Sequence, residues 1–163
     1  MAKSTRATQM LSKLGVAHEV RSYDYDPEAQ RTGLQAAEAL GEPPDRVLKT
    51  LMALVDGKPV CAVVPSDREV SMKKLAAAFG GKNAQMMKPP DAERITGYKV
   101  GGISPFGQMR KAPTAIEQAA LGHAYVFINA GQRGLQVKLD PQDAVKALGA
   151  KIAALSAQSG DAS

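Results

Sequence analysis

Apolar residues recur at Ala7, Met10, Leu11 and Leu14. That spacing keeps one face of a helix apolar, so residues 5–14 read as a first helix, with Gly15 placed to end it. Residues 18–23 read as a short strand. A second helix is expected over 33–40, where Thr32 and Gln35 have capping-box spacing and Gly41 supplies a stop. The run Lys49-Thr50-Leu51-Met52-Ala53-Leu54-Val55 is a strand, Asp56-Gly57 turns the chain, and residues 60–64 return as its hairpin mate. Ser71 is placed to cap a helix running to Phe79, closed by Gly80-Gly81. Another short helix begins around Pro90, whose missing N–H is harmless in a first turn.

Residues 97–113 follow neither period. Four glycines and two prolines punctuate them, which predicts an ordered loop whose backbone passes close to something else. Residues 125–128 form the next strand, and the turn 129–134 leads into the alternating strand 135–139. Asp140 caps a last helix with Pro141 at its first position and Gly149 near its end. Hairpin strands therefore alternate with short helices. The expected fold is α/β in the α+β sense: a mixed, mostly antiparallel, barrel-like sheet with short helices around it. A doubly wound dinucleotide fold is disfavoured, because no glycine fingerprint follows the first strand.

Composition narrows the class. A chain of 163 residues suits one domain, expected over 1–155 with a frayed tail at 156–163. Aromatic residues are only 4% and tryptophan is absent, so the core must rest on aliphatic side chains and methionine. The start of the chain has no apolar stretch of signal-peptide length, and no run approaches a membrane span. A cytoplasmic location is the expectation, with no membrane partner. The net charge of +5, from 21 basic and 16 acidic side chains, permits a polyanionic partner without requiring one.

Familiar catalytic motifs are missing from the sequence. It has no phosphate-loop signature, no zinc helix and no nucleophile elbow. His18 and His123 are far apart and without neighbours at ligand spacing. Cys61 lies among apolar residues and reads as a small buried hydrophobe. Three segments remain as candidates for chemistry: Lys49-Thr50 at a strand start, Gly101-Gly102, and the turn 129–134. A lysine opening an apolar strand is either an exposed edge residue or a functional cation. Gly101-Gly102 either makes a tight turn or aims backbone amides at an oxyanion or phosphate.

Five segments, in this order, resemble the YbaK/EbsC family, which is also represented by the editing domain of some bacterial prolyl-tRNA synthetases. They are Tyr23-Asp24-Tyr25-Asp26-Pro27; residues 36–41 with 47–51; Val63-Val64-Pro65; the stretch 96–107 around Gly101-Gly102-Ile103-Ser104-Pro105; and Gly131-Gln132-Arg133-Gly134-Leu135-Gln136. The resemblance spans about residues 11–150. It implies hydrolysis of the ester joining an amino acid to the 3′ end of tRNA, with no metal and no organic cofactor. The branch most similar to this chain removes cysteine from tRNA(Pro), in association with prolyl-tRNA synthetase. By resemblance Lys49, Gly101 and Gly102 are the catalytic candidates. Lys49 would hold the terminal phosphate and orient the ester, and the two glycines would position the terminal ribose and carbonyl. Tyr23, Thr50, Ser104, Pro105, Asn129, Ala130, Gly131 and Arg133 are the substrate-binding candidates. The favoured route is substrate-assisted: the cysteine thiol closes a thiolactone and expels the tRNA, although attack by water is not excluded by the sequence. One position departs from the branch, which usually carries serine where this chain has Asn129. That leaves open a shifted preference, for alanyl-tRNA or another small aminoacyl-tRNA. A catalytically silent module that binds tRNA or synthetase is the third reading. Arg133 is expected either to stabilise its turn or to contact the acceptor stem.

Overall fold

In the computed structural model, which describes residues 4–28 and 32–157, short polar side chains set most of the helix starts. Thr5 and Thr8 form a reciprocal capping box, each backbone N–H donating to the other's hydroxyl, at 2.8 and 3.1 Å, ahead of α1 (Arg6–Lys13). Ser71 caps α3 (Met72–Ala78) by accepting from Lys74 N at 3.2 Å. Asp140 caps α5 (Pro141–Leu148) by accepting from Gln142 N at 2.8 Å. In α2 (Thr32–Leu40) the expected box is not what Gln35 forms. Its amide donates to Asp26 O at 2.9 Å and accepts from Asp26 N at 3.1 Å, which ties the 23–26 segment to the helix. The Thr32 side chain lies outside what is described. The remaining helix, α4 (Pro89–Thr96), has prolines in its first turn, as expected for this stretch.

Strands β2 (Leu48–Val55) and β3 (Lys58–Pro65) form the expected hairpin. Asp56 and Gly57 both have positive φ, 48° and 80°, the signature of the two-residue turn that matches strand twist. With β4 (Ala84–Met86), β5 (Thr114–Glu117) and β8 (Lys151–Ala153) they make a sheet of order β4-β2-β3-β5-β8. A second sheet has the order β1-β7-β6, from β1 (Glu19–Ser22), β6 (Val126–Asn129) and β7 (Leu135–Leu139). Pairing is antiparallel except at β3–β5 and β5–β8. The mixed, mostly antiparallel arrangement with short helices is thus present, as two sheets and not as a closed barrel. An isolated bridge, Val47–Phe127, joins them. Residues 44–46, just before it, form a turn in which Arg46 N donates to Pro43 O at 3.0 Å and Val47 N to Pro44 O at 3.3 Å, so the ladder goes no further.

β3 is buried along most of its length, because the larger sheet is covered on both faces. One face packs Met52, Cys61 and Val63 against Leu11, Phe106, Ile128 and Val137. The other packs Ala62 and Val64 against Leu75 and Leu155. Leu155 is fully buried, Ser156 bridges to Val70 and Ala157 N donates to Glu69 O at 2.8 Å. The rest of the expected tail, 158–163, lies outside the described residues. Among the described residues no helix is long and apolar enough to cross a membrane.

Candidate active site

Lys49 and Thr50 sit at the start of β2, opposite Val64 and Val63 of β3. Both are half-buried and line a cavity of about 380 Å³. The same cavity is bordered by Gly101, Asn129 and Gln136, with Met52, Met87 and Ile103 among its apolar walls. That size and that mix of apolar wall with few polar groups suit a small ligand. Five buried side-chain polar atoms have no hydrogen-bond partner among the described residues, and three of them gather here: Thr50 Oγ1, Gln136 Oε1 and the Tyr23 hydroxyl. Such atoms are rare in folded proteins. Thr50 and Gln136 belong to the cavity wall, and the Tyr23 hydroxyl faces the Gln136 amide without a well-directed bond. Burial is the main reason its phenol is held above the ordinary tyrosine range.

The far wall is made by two loops that interlock. Asn129 accepts from Gly131 N through Oδ1 at 2.7 Å and donates through Nδ2 to Gly101 O at 3.3 Å. Arg133 Nε donates to Val100 O at 2.8 Å, and its guanidinium lies 5.5 Å from the Tyr25 ring centre. A Cβ on Gly102 would meet Arg133 N at 2.7 Å, and one on Gly131 would meet the Tyr98 ring at 2.7 Å. The glycines are therefore needed for close backbone approach. Tyr98 is fixed in turn by donating its hydroxyl to Phe106 O at 2.6 Å.

This geometry sorts the expected residues. Lys49, Thr50, Gly101 and Asn129 come together on the cavity. Gly102, Gly131 and Arg133 stand behind its wall as the braces just described. Ala130 is fully buried and donates its N–H to Leu135 O. Ser104 and Pro105 are directed elsewhere. Ser104 is fully buried, with its hydroxyl accepting from Phe106 N at 3.1 Å, and Pro105 borders a separate cavity beside Met10 and Gly107. The Gly102 amide closes a turn on Lys99 O at 2.8 Å, so it is not spare for an oxyanion. Gly101 lines the cavity, and its N–H has no partner among the described residues. Arg133 is exposed and has its Nε on Val100 O. Gln136 was not singled out by sequence reasoning. Its position, an amide between Leu135 and Val137 in an alternating strand, reads as a solvent face, yet it is only 4% exposed.

Among the described residues no conventional nucleophile is presented here. Cys61 is fully buried, and burial pushes its thiol up to about 12. Ser66 lines the cavity but donates its hydroxyl to Val47 O. His18 is turned to Val16 O, and His123 lies 3.8 Å from Asp45.

A sequence profile of the aminoacyl-tRNA editing domain matches residues 27–147. The chain belongs to the aminoacyl-tRNA editing domain family. The matched span holds Lys49, Thr50, the glycine loop and the turn with Gln136, while Tyr23 precedes it. This editing domain is 33% identical over 141 residues to an Enterococcus faecalis protein provisionally named Cys-tRNA(Pro)/Cys-tRNA(Cys) deacylase EbsC, covering 86% of this chain and 85% of that one. It is also 33% identical over 94 residues to a proline–tRNA ligase of Acidithiobacillus ferrooxidans, where the match covers 58% of this chain but 16% of the ligase. Among solved structures, one described provisionally as a trans-editing enzyme for prolyl-tRNA synthetase superposes with a TM-score of 0.82 at 22% identity, covering 96% of this chain and all of that one. That likeness supports the fold of the editing domain.

Proposed function

We propose that this editing domain is an aminoacyl-tRNA deacylase that clears cysteine from tRNA(Pro), with the cysteine thiol as the attacking group. One observation carries the reading. Lys49, Thr50, Gly101 and Asn129 surround a small cavity at which no described side chain is an activated nucleophile. Such a site works by placement and charge stabilisation. The substrate's sulfur attacks its own ester carbonyl, the C–O bond to the terminal ribose breaks, and the ribose oxygen leaves with the thiol proton. Water later opens the released thiolactone. Lys49 supplies a cation for the terminal phosphate, and the Gly101 N–H is the available donor for the carbonyl oxygen. Methionines in the cavity wall give a soft, apolar surface suited to a thiol. The related segment within proline–tRNA ligases supports tRNA(Pro) as the nucleic acid and prolyl-tRNA synthetase as a partner. Action on aminoacyl-tRNA would place the protein in the cytoplasm.

A shifted preference is the second reading, and Asn129 motivates it. Both ends of its amide are engaged by Gly131 and Gly101, so it acts on the ligand mainly through its volume. The test is deacylation of tRNA(Pro) charged with cysteine, serine, alanine or proline. Loss of cysteine alone is the expected result. Equal loss of serine would replace the substrate thiol with attack by water. Preferential loss of alanine would favour the second reading. No turnover of any of the four would leave a module that binds tRNA or synthetase without cleaving the ester.

A further inference from the structure

A second, larger concavity of about 690 Å³ lies at the opposite end of β2 from Lys49. Its walls bring together cations remote in sequence: Lys58 at the hairpin, Arg110 and Lys111 near the end of the irregular stretch 97–113, and Lys151 on β8. All four side chains are exposed, and none forms an ion pair with a carboxylate among the described residues. Asp56 is the acidic residue of this lining. Its carboxylate already accepts from Lys82 N and Asn83 N, and these bonds hold it below the usual carboxylate range, with a smaller push from nearby Lys58. The groove therefore presents four cations against one carboxylate already engaged. Phe79 forms part of the floor, half-buried, with Lys151 Nζ 5.5 Å from its ring centre. A basic groove with one accessible aromatic face suits a phosphodiester strand.

We infer that this groove binds the acceptor-stem backbone of the tRNA whose 3′ end enters the Lys49 cavity. The assignment rests on the deacylase reading for its ligand. Distance agrees with it. Val55 follows Lys49 by six positions on β2, and strands rise about 3.3 Å per residue, which separates the sites by about 20 Å. A stacked strand advances about 3.4 Å per nucleotide, so the gap spans about six nucleotides. That carries the chain from the terminal ester past the unpaired 3′ end to the first base pairs. The groove reads backbone charge and no base edge, so it supplies affinity without choosing among tRNAs.

The test compares wild type with a Lys58→Gln/Arg110→Gln/Lys111→Gln protein. A Lys13→Gln/Arg68→Gln/Lys146→Gln protein, of equal charge change, is the control. Lys151 is left in place because it also donates to Ala78 O. Binding of uncharged tRNA is followed by fluorescence anisotropy across a salt series, alongside turnover of cysteinyl-tRNA(Pro) and of cysteine esterified to a CCA trinucleotide. The groove variant is expected to lose at least about tenfold in affinity, and its salt slope should fall by about 2–3. Its KM for the full tRNA should rise at unchanged kcat, with turnover of the trinucleotide ester unaffected. The control protein should behave as wild type. Wild-type affinity and slope in the groove variant would overturn the inference, as would equal losses in the control. Binding lost in the groove variant while wild type cleaves neither ester would sustain the groove and remove the deacylase reading. Unchanged tRNA binding with weakened synthetase binding would assign the groove to an acidic protein surface and overturn the RNA assignment.

Discussion

Replacing Gly102 by alanine tests whether the interlock of the two loops is what shapes the cavity. Gly102 does not need a left-handed backbone, so the cost is steric alone. The new Cβ would stand 2.7 Å from Arg133 N and 2.9 Å from Gln132 C. Both are backbone atoms that no rotamer change can move aside. Reaching an ordinary contact of 3.4 Å requires the turn to retreat by about 0.7 Å, the difference between those two distances. Overpacking of this kind costs about 1–3 kcal/mol, which for a chain of this size lowers Tm by about 2–12 °C. The retreat also pulls on the Asn129–Gly101 and Arg133–Val100 bonds, so Gly101 shifts relative to Lys49. A misplacement approaching 1 Å can cost about 100-fold in rate, and a kcat loss of about 10- to 100-fold is expected. Gly122→Ala is the internal control, since a Cβ there meets nothing within 4 Å. It should change stability by no more than about 1 kcal/mol. Thermal melts and single-turnover deacylation of cysteinyl-tRNA(Pro) measure both effects. A Gly102→Ala protein with the melt and rate of wild type would refute the steric argument.

Other outcomes follow from the same geometry. Lys49→Ala should lower kcat/KM by about 10- to 100-fold, the worth of one hydrogen bond to a charged group, and Lys49→Arg should not restore it, since a planar fork does not replace a compact ammonium; steady-state kinetics with a melt as the folding check decides. Glu117 accepts from Leu155 N and Ser156 N at 2.8 Å and from Ala119 N at 3.0 Å. Burial alone would raise its carboxyl, but these bonds together outweigh that and hold it low. The resulting stabilisation is complete above the unfolded glutamate pKa of about 4.3 and is lost as pH falls through the lower folded value. Glu117→Gln should therefore melt well below wild type at pH 7, with the gap narrowing in acid; a gap independent of pH would contradict this. Cys61, with its thiol pushed up to about 12 and no exposed surface, should react with a thiol reagent only when the chain is unfolded, and rapid labelling of native protein would show the burial to be wrong.

Much of this was legible from local pattern. Period and capping predicted the helices at α1, α3 and α5, and Asp56-Gly57 predicted the hairpin, because these depend on residues a few positions apart. Density of glycine and proline marked 97–113 as irregular. Lys49, Thr50, Gly101 and Asn129 are legible as site candidates largely through family resemblance. The short strands β4, β5 and β8 are not: β4 and β8 span only three residues, and β5 directly follows the irregular stretch without the hairpin partner that marks β2, β3, β6 and β7. Their pairing rests on partners far along the chain. The burial of Gln136 and the placement of Ser104 and Pro105 away from the cavity are not legible for a related reason. Alternation tells which residues share a face of a strand, but not whether that face meets water, a second layer or a cavity. Residue order thus determined the local elements and the close-approach glycines, through backbone sterics. Only tertiary packing decided which amide was already spent, which hydroxyl turned into the core and which distant cations met in one groove, because hydrogen bonding and burial depend on atoms that come close only when the chain is folded.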